Sequence, residues 1–129
     1  MPQEVSLRET YGKTLVELGR ENSDIVVLDA DLSRSTMTHF FASELPERFF
    51  DCGIAEQNMV SIAAGLAASG KIPFASTFAV FVPGRCFDQI RMSIAQPGLN
   101  VKLVATHGGI SVGEDGTSHQ SIEDLALIT

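Results

Sequence analysis

Apolar positions along the chain fall into two alternating patterns. Short continuous apolar or β-branched runs occur at Ile25-Val26-Val27-Leu28, around Arg48-Phe49-Phe50-Asp51, from Ile72 to Ser76 and from Val101 to Ala105. Such runs predict strands buried on both faces. Between them lie helical patterns from Leu7 to Glu21, Met37 to Ser43, Ala55 to Ser69 and Val80 to Ala95, the last with Pro83 near its start. The first places Tyr11, Leu15 and Leu18 at helical spacing with charges opposite, and Gly19 and Asn22 mark its end. This alternation predicts an α/β three-layer sandwich around a mostly parallel sheet. No Pro/Gly/Ser linker or repeat divides the chain, so one domain over residues 1–129 is expected. The segment from Ser121 to Thr129 starts a further helix and stops soon after. A four-stranded sheet ending there predicts the front part of a longer subunit, incomplete at its C-terminal side.

Composition narrows the function classes. A chain of 129 residues with 44% hydrophobic content can build one real core. Its formal charge of −7 argues against a nucleic-acid or anionic-membrane surface, which calls for a basic excess. No apolar run nears the ~20 residues that span a bilayer, and no basic segment followed by an apolar one opens the chain, so a cytoplasmic protein is expected. Cys52 and Cys86 are far apart and form no CxxC pair, which predicts free thiols rather than a disulfide or zinc scaffold.

In parallel sheets, ligands gather beyond the carboxyl ends of the strands. Four segments there carry chemistry. After the second run comes Glu56, at the mouth of a helix holding Met59, Val60, Ile62, Ala63, Ala64, Leu66 and Ala67, apolar around most of its circumference and so expected to be buried. A desolvated carboxyl there would hold its proton more tightly; the plainer reading is a first-turn Glu favoured by the helix dipole and reaching water. After the fourth run, Thr106 to Gln120 contains His107, Glu114, Asp115 and His119 among glycines that permit close backbone approach. A metal site, a polar clamp on substrate hydroxyls and a solvated turn all fit this loop, although no metal signature such as HExxH is present. Phe78 and Phe81, after the third run, are either core residues or a flat wall for an aromatic ring. Asp29 and Asp31 follow the first run; as a Mg²⁺ pair they are opposed by nearby Arg34.

Together, LDADLSRS (Leu28 to Ser35), GIAEQNM (Gly53 to Met59), STFAVF (Ser76 to Phe81) and ATHGGISVGEDGTSHQSIEDLA (Ala105 to Ala126) resemble the pyrimidine-binding domain of the transketolase family of thiamine-diphosphate enzymes. The last motif is the most specific, since AEQ also occurs in the related deoxyxylulose-phosphate synthases. The resemblance implies that Glu56 hydrogen-bonds N1′ of the cofactor's aminopyrimidine and so promotes the imino form that deprotonates thiazolium C2. It further implies a cofactor surface of Asp31, Ile54, Glu56, Phe78 and Phe81. Substrate contacts would come from Arg8, Ser35, His107, Asp115 and His119, with His107 and His119 also taking part in catalysis, and no metal ligand in this chain. The implied reaction moves a two-carbon ketol unit between sugar phosphates.

Two positions depart from the family pattern: Gly84 stands where a tyrosine is frequent, and Ala55-Glu56-Gln57 stands where Arg-Glu-His is common. The GDG…N element that holds Mg²⁺ and the diphosphate is missing. With Met1 directly before the domain, a split enzyme is expected, its N-terminal diphosphate-binding subunit being a separate partner chain that holds Mg²⁺, in a dimer or heterotetramer. A deoxyxylulose-phosphate-synthase-like enzyme and a non-catalytic small-ligand module are the alternatives.

Overall fold

The computed structural model describes residues 4–129. Helix α1 spans Leu7–Glu21, the range its periodicity predicts; Ser6 caps it by accepting from the Glu9 amide, and the Asn22 amide closes it on the Leu18 carbonyl. The chain continues through β1 (Ile25–Asp29), α2 (Ser33–Thr36), α3 (His39–Glu44), β2 (Phe49–Asp51), α4 (Glu56–Ala68), β3 (Ile72–Phe78), α5 (Val82–Gln89), β4 (Lys102–Thr106) and α6 (Asp124–Ile128). The four strands form one sheet in the order β2-β1-β3-β4. Every pairing is parallel.

Strand alternation distributes the core to two faces. Ile25 and Val27 join Leu15, Val16 and Phe41 beneath α1 and α3. Val26 and Leu28 join Met59, Ala63 and Ala75 beneath α4. A third cluster, Val60, Ala64, Cys86 and Ile94, binds α4 to α5 and the segment after it. The result is the expected mixed α/β arrangement, with helices on both faces of a parallel sheet.

Three differences from the expected elements have local causes. The helix expected from Met37 to Ser43 is α3, which starts at His39, and an unexpected short helix, α2, precedes it; the two are separated by Met37, which is left-handed with φ +67°. Its carbonyl presses on Gly12 of α1 where any Cβ would collide, so that glycine allows the turn to dock. The helix expected from Val80 to Ala95 is α5 followed by a π-helical stretch, Ile90–Ala95. Helix α4, expected to be wholly buried, turns Ser61, Ile62 and Gly65 outward, because only the Met59, Val60, Ala63 and Ala64 stripe meets the sheet and α5.

Register brings the carboxyl ends of the strands to one rim. Asp29 lies opposite Asp51 on one side and Ser76 on the other, and Phe78 lies opposite Thr106. Among the described residues, no helix is long and apolar enough to cross a membrane.

Candidate functional site

Glu56 opens α4 and is 4% exposed. A carboxylate so buried costs several kcal/mol without a partner, on the order of the effective penalty for a desolvated ion. Its partner is Arg85 in α5, whose Nη1 donates to Oε1 at 2.9 Å. The Arg85 guanidinium also lies over the Phe81 ring, 4.2 Å from its centroid. Next along α4, Gln57 donates its side-chain amide to the Arg85 carbonyl at 2.7 Å. Helices α4 and α5 are thus joined at Arg85 through both its backbone and its side chain.

Phe78 ends β3 and is buried, whereas Phe81, just before α5, is partly open. Their rings are nearly parallel, 5° apart with centroids at 6.0 Å. His107 packs on Phe78 at 4.0 Å, and the His119 ring meets Phe81 edge-on at 5.5 Å. The long loop after β4 can deliver both imidazoles because it folds back on itself. Gly109 and Ser121 exchange two backbone hydrogen bonds, of 2.8 and 3.1 Å, and a 3₁₀ turn over Gly116–His119 returns the second histidine. His107 is left-handed at φ +58°, and its Nδ1 shares a 2.8 Å hydrogen bond with the Thr106 hydroxyl. Burial, then the nearby Arg8 charge, lowers the His107 pKa, with Asp115 pulling weakly the other way; the ring is therefore neutral at neutral pH. His119 shares its Nδ1 with the Ser118 hydroxyl at 2.9 Å.

A second group adjoins this one through His107. Arg8 donates to the Ser35 carbonyl at 2.8 Å, which brings those two predicted residues together from α1 and α2. A cavity of about 300 Å³ lies beside them, lined by Arg8, Tyr11, Val104, Thr106 and His107. Asp115 is exposed on the loop above. Asp31 is also exposed, at φ +62°, and its amide donates to Asp51 Oδ1 at 3.1 Å. The same oxygen accepts from the Gly53 amide at 2.9 Å, so one carboxylate sets both the Asp31 and the Ile54 loops. Ile54 itself is 78% exposed.

Asp29 is spent internally, not on a metal. It accepts from the Leu32 amide at 2.6 Å and from the hydroxyls of Thr36 and Thr38 at 2.7 and 2.8 Å. Burial outweighs these bonds and raises its pKa. No group of three or more His, Cys, Asp or Glu side chains suited to a metal ion exists among the described residues. Both cysteines are free, Cys52 half-buried and Cys86 buried with its thiol pushed up to about 11 by desolvation and then by the Glu56 charge.

Arg85 is named by none of the sequence patterns, and Gln57, Tyr11 and Asp51 enter them without a role in the site. Arg85 had one usable signal: it follows Phe81 by four residues, the spacing that stacks side chains along a helix. Tyr11 had none, because its partner lies 65 residues away, and the link from Asp51 to the Asp31 loop spans 20 residues.

Residues 3–129 match the family model "Transketolase, pyrimidine binding domain". A Methanocaldococcus jannaschii protein provisionally named a transketolase C-terminal section is 60% identical over 122 residues, covering 95% of this chain and 39% of its own length. Human transketolase is 47% identical over 124 residues, covering 95% of this chain and 20% of its own. A solved split-gene transketolase, described as an inactive β4 tetramer, superposes with a TM-score of 0.82 at 62% identity, covering 98% of this chain and 40% of that one. The chain therefore spans about two fifths or less of these relatives' lengths.

Proposed function

The chain belongs to the family of transketolase pyrimidine-binding domains, and from that premise we propose that it supplies the aminopyrimidine half of a thiamine-diphosphate site in a two-chain transketolase. The observation that carries this reading is a buried carboxylate, Glu56, joined through the Arg85 guanidinium to the partly open Phe81 ring. An aminopyrimidine needs both: a flat apolar surface to stack on and a desolvated acceptor or shared proton at N1′. The Arg85 guanidinium, planar and rich in N–H donors, already makes both contacts, so the slot suits a flat donor group. A partner subunit carrying the diphosphate and Mg²⁺ completes the site in this reading, within a dimer or heterotetramer.

When bound, the cofactor supplies an electron sink for cleaving and rejoining the bond beside a ketose carbonyl. Glu56 holds or shares the proton at N1′, and Phe78, behind Phe81, fixes the tilt of the wall. Asp31 and Ile54 border the cofactor from the β1 and β2 ends. The neutral His107 imidazole, with His119, takes or gives a proton at the substrate's oxygens. Arg8, beside Ser35, meets the sugar phosphate with its guanidinium, and Asp115 orients a hydroxyl. The 129-residue span acts as the front of the pyrimidine domain in this arrangement.

The test is reconstitution. The full-length subunit should transfer no ketol unit alone, and should do so once its diphosphate-binding partner, Mg²⁺ and cofactor are added. Glu56→Ala should then abolish hydrogen–deuterium exchange at cofactor C2. Normal exchange in that variant sinks the assignment of Glu56, and failure of the full-length pair to transfer a ketol unit leaves a non-catalytic binding module.

A further inference from the structure

The contacts around Arg85 are those an incoming aminopyrimidine would need, already made by the chain itself. Its guanidinium is stacked 4.2 Å from the Phe81 centroid and donates to Glu56 at 2.9 Å. Its environment is also lopsided: Glu56 is 4% exposed at its side chain, whereas Arg85 is 51% exposed. The carboxylate is fixed and the cation is at the mouth. The backbone beneath the cation is held by Gln57, whose amide binds the Arg85 carbonyl at 2.7 Å, so the side chain can leave without moving α5. Gly84, immediately before it, has open space where a Cβ would stand, so nothing from that position crowds the swing.

We propose that Arg85 is a place-holding gate: its guanidinium occupies the aminopyrimidine's stacking and hydrogen-bonding positions and must swing outward for the cofactor to enter. The inference rests on the assignment of Glu56 and Phe81 to cofactor binding. In the closed position the gate keeps a buried carboxylate paired, which an empty slot would otherwise leave desolvated and alone. The cost falls on affinity. When only a fraction of molecules is open, the apparent dissociation constant rises by the inverse of that fraction, so a gate closed about nine tenths of the time weakens binding about tenfold.

The test measures thiamine-diphosphate affinity by calorimetry on the full-length subunit assembled with its partner and Mg²⁺, for wild type, Arg85→Gln, Arg85→Lys and Glu56→Gln. Arg85→Gln should bind cofactor about three- to tenfold tighter, while the unloaded complex melts at a lower temperature. Arg85→Lys, which keeps the charge but loses the planar stack, should fall between it and wild type. Weaker or unchanged binding in Arg85→Gln overturns the gate, because a residue that merely orients Glu56 would cost affinity when removed. If Glu56→Gln weakens binding while Arg85→Gln does not tighten it, the gate fails and the cofactor assignment stands. If neither variant changes affinity, the assignment itself fails.

Discussion

Two polar clusters stand on the same rim of the sheet and are finished in opposite ways. At the end of β1, Asp29 is fully buried and is served by three donors from the next nine residues, and the Thr36 and Thr38 hydroxyl oxygens lie 3.1 Å apart. Beside it the Tyr11 hydroxyl is closed off by Ser76 at 2.7 Å. At the start of α4, the equally buried Glu56 has one guanidinium partner that is half in solvent. Near the end of β3, the buried Thr77 hydroxyl has no hydrogen-bond partner among the described residues. Burial of a charged group therefore does not separate scaffold from site; the origin and exposure of its partners do.

The largest effect that tests this contrast is chemical. Glu56→Ala should lower reconstituted ketol transfer by about 10²- to 10⁴-fold, the range for losing a positioned acid–base group, while the melting temperature of the subunit barely moves. A collapse in stability would place Glu56 with the scaffold. Asp29→Ala should do the reverse. It strands an amide and two hydroxyls in a dry site and should cost about 3 kcal/mol in denaturant unfolding, with residual activity proportional to the folded fraction. Next comes Gly19→Ala, in which the new methyl would meet the Phe41 ring at 2.5 Å; a loss of about 1–3 kcal/mol is expected from overpacking the α1–α3 contact. Equal stability would mean that α3 can withdraw.

The smallest effect is a titration. Folding lowers the His107 pKa, so the unfolded chain takes up the proton first as pH falls below the ordinary histidine value of ~6.5. The stability this neutral ring contributes is complete above that value and is lost as pH drops through the lower, folded one. Arg8→Gln removes one of the causes, so an NMR titration of His107 should move upward toward the ordinary value. A shift downward would show that Arg8 does not act on the ring by charge.

What could be read from the sequence follows the range of the forces involved. The limits of α1 were legible because its periodicity and its terminating residues are local: Tyr11, Leu15, Leu18, Gly19 and Asn22. The break at Met37 was not, since it depends on the α1 glycine that receives its carbonyl 25 residues earlier. The outward face of α4 was misjudged for a related reason: an apolar sequence predicts burial only where something covers it, and the sheet and α5 cover only one stripe. In the site, Phe78, Phe81, His107 and Glu56 could be found because strand ends mark them. Their assembly could not, because it depends on Arg85 and on a loop closed by the Gly109–Ser121 pair.

Parallel pairing gives the sheet a polarity with a practical use. Every side chain assigned here to chemistry lies at or beyond the carboxyl rim, or on the α1 turn above it. The opposite rim, made of Asn22 to Asp24, Ser69 to Lys71 and Pro97 to Asn100, is mostly turn, largely exposed, and carries none of them. A fluorophore, an affinity handle or a surface tether placed at those three turns would stand at the end of the sheet away from the aromatic wall and its buried carboxylate. Single-molecule and immobilised measurements of cofactor entry can therefore be built from that side.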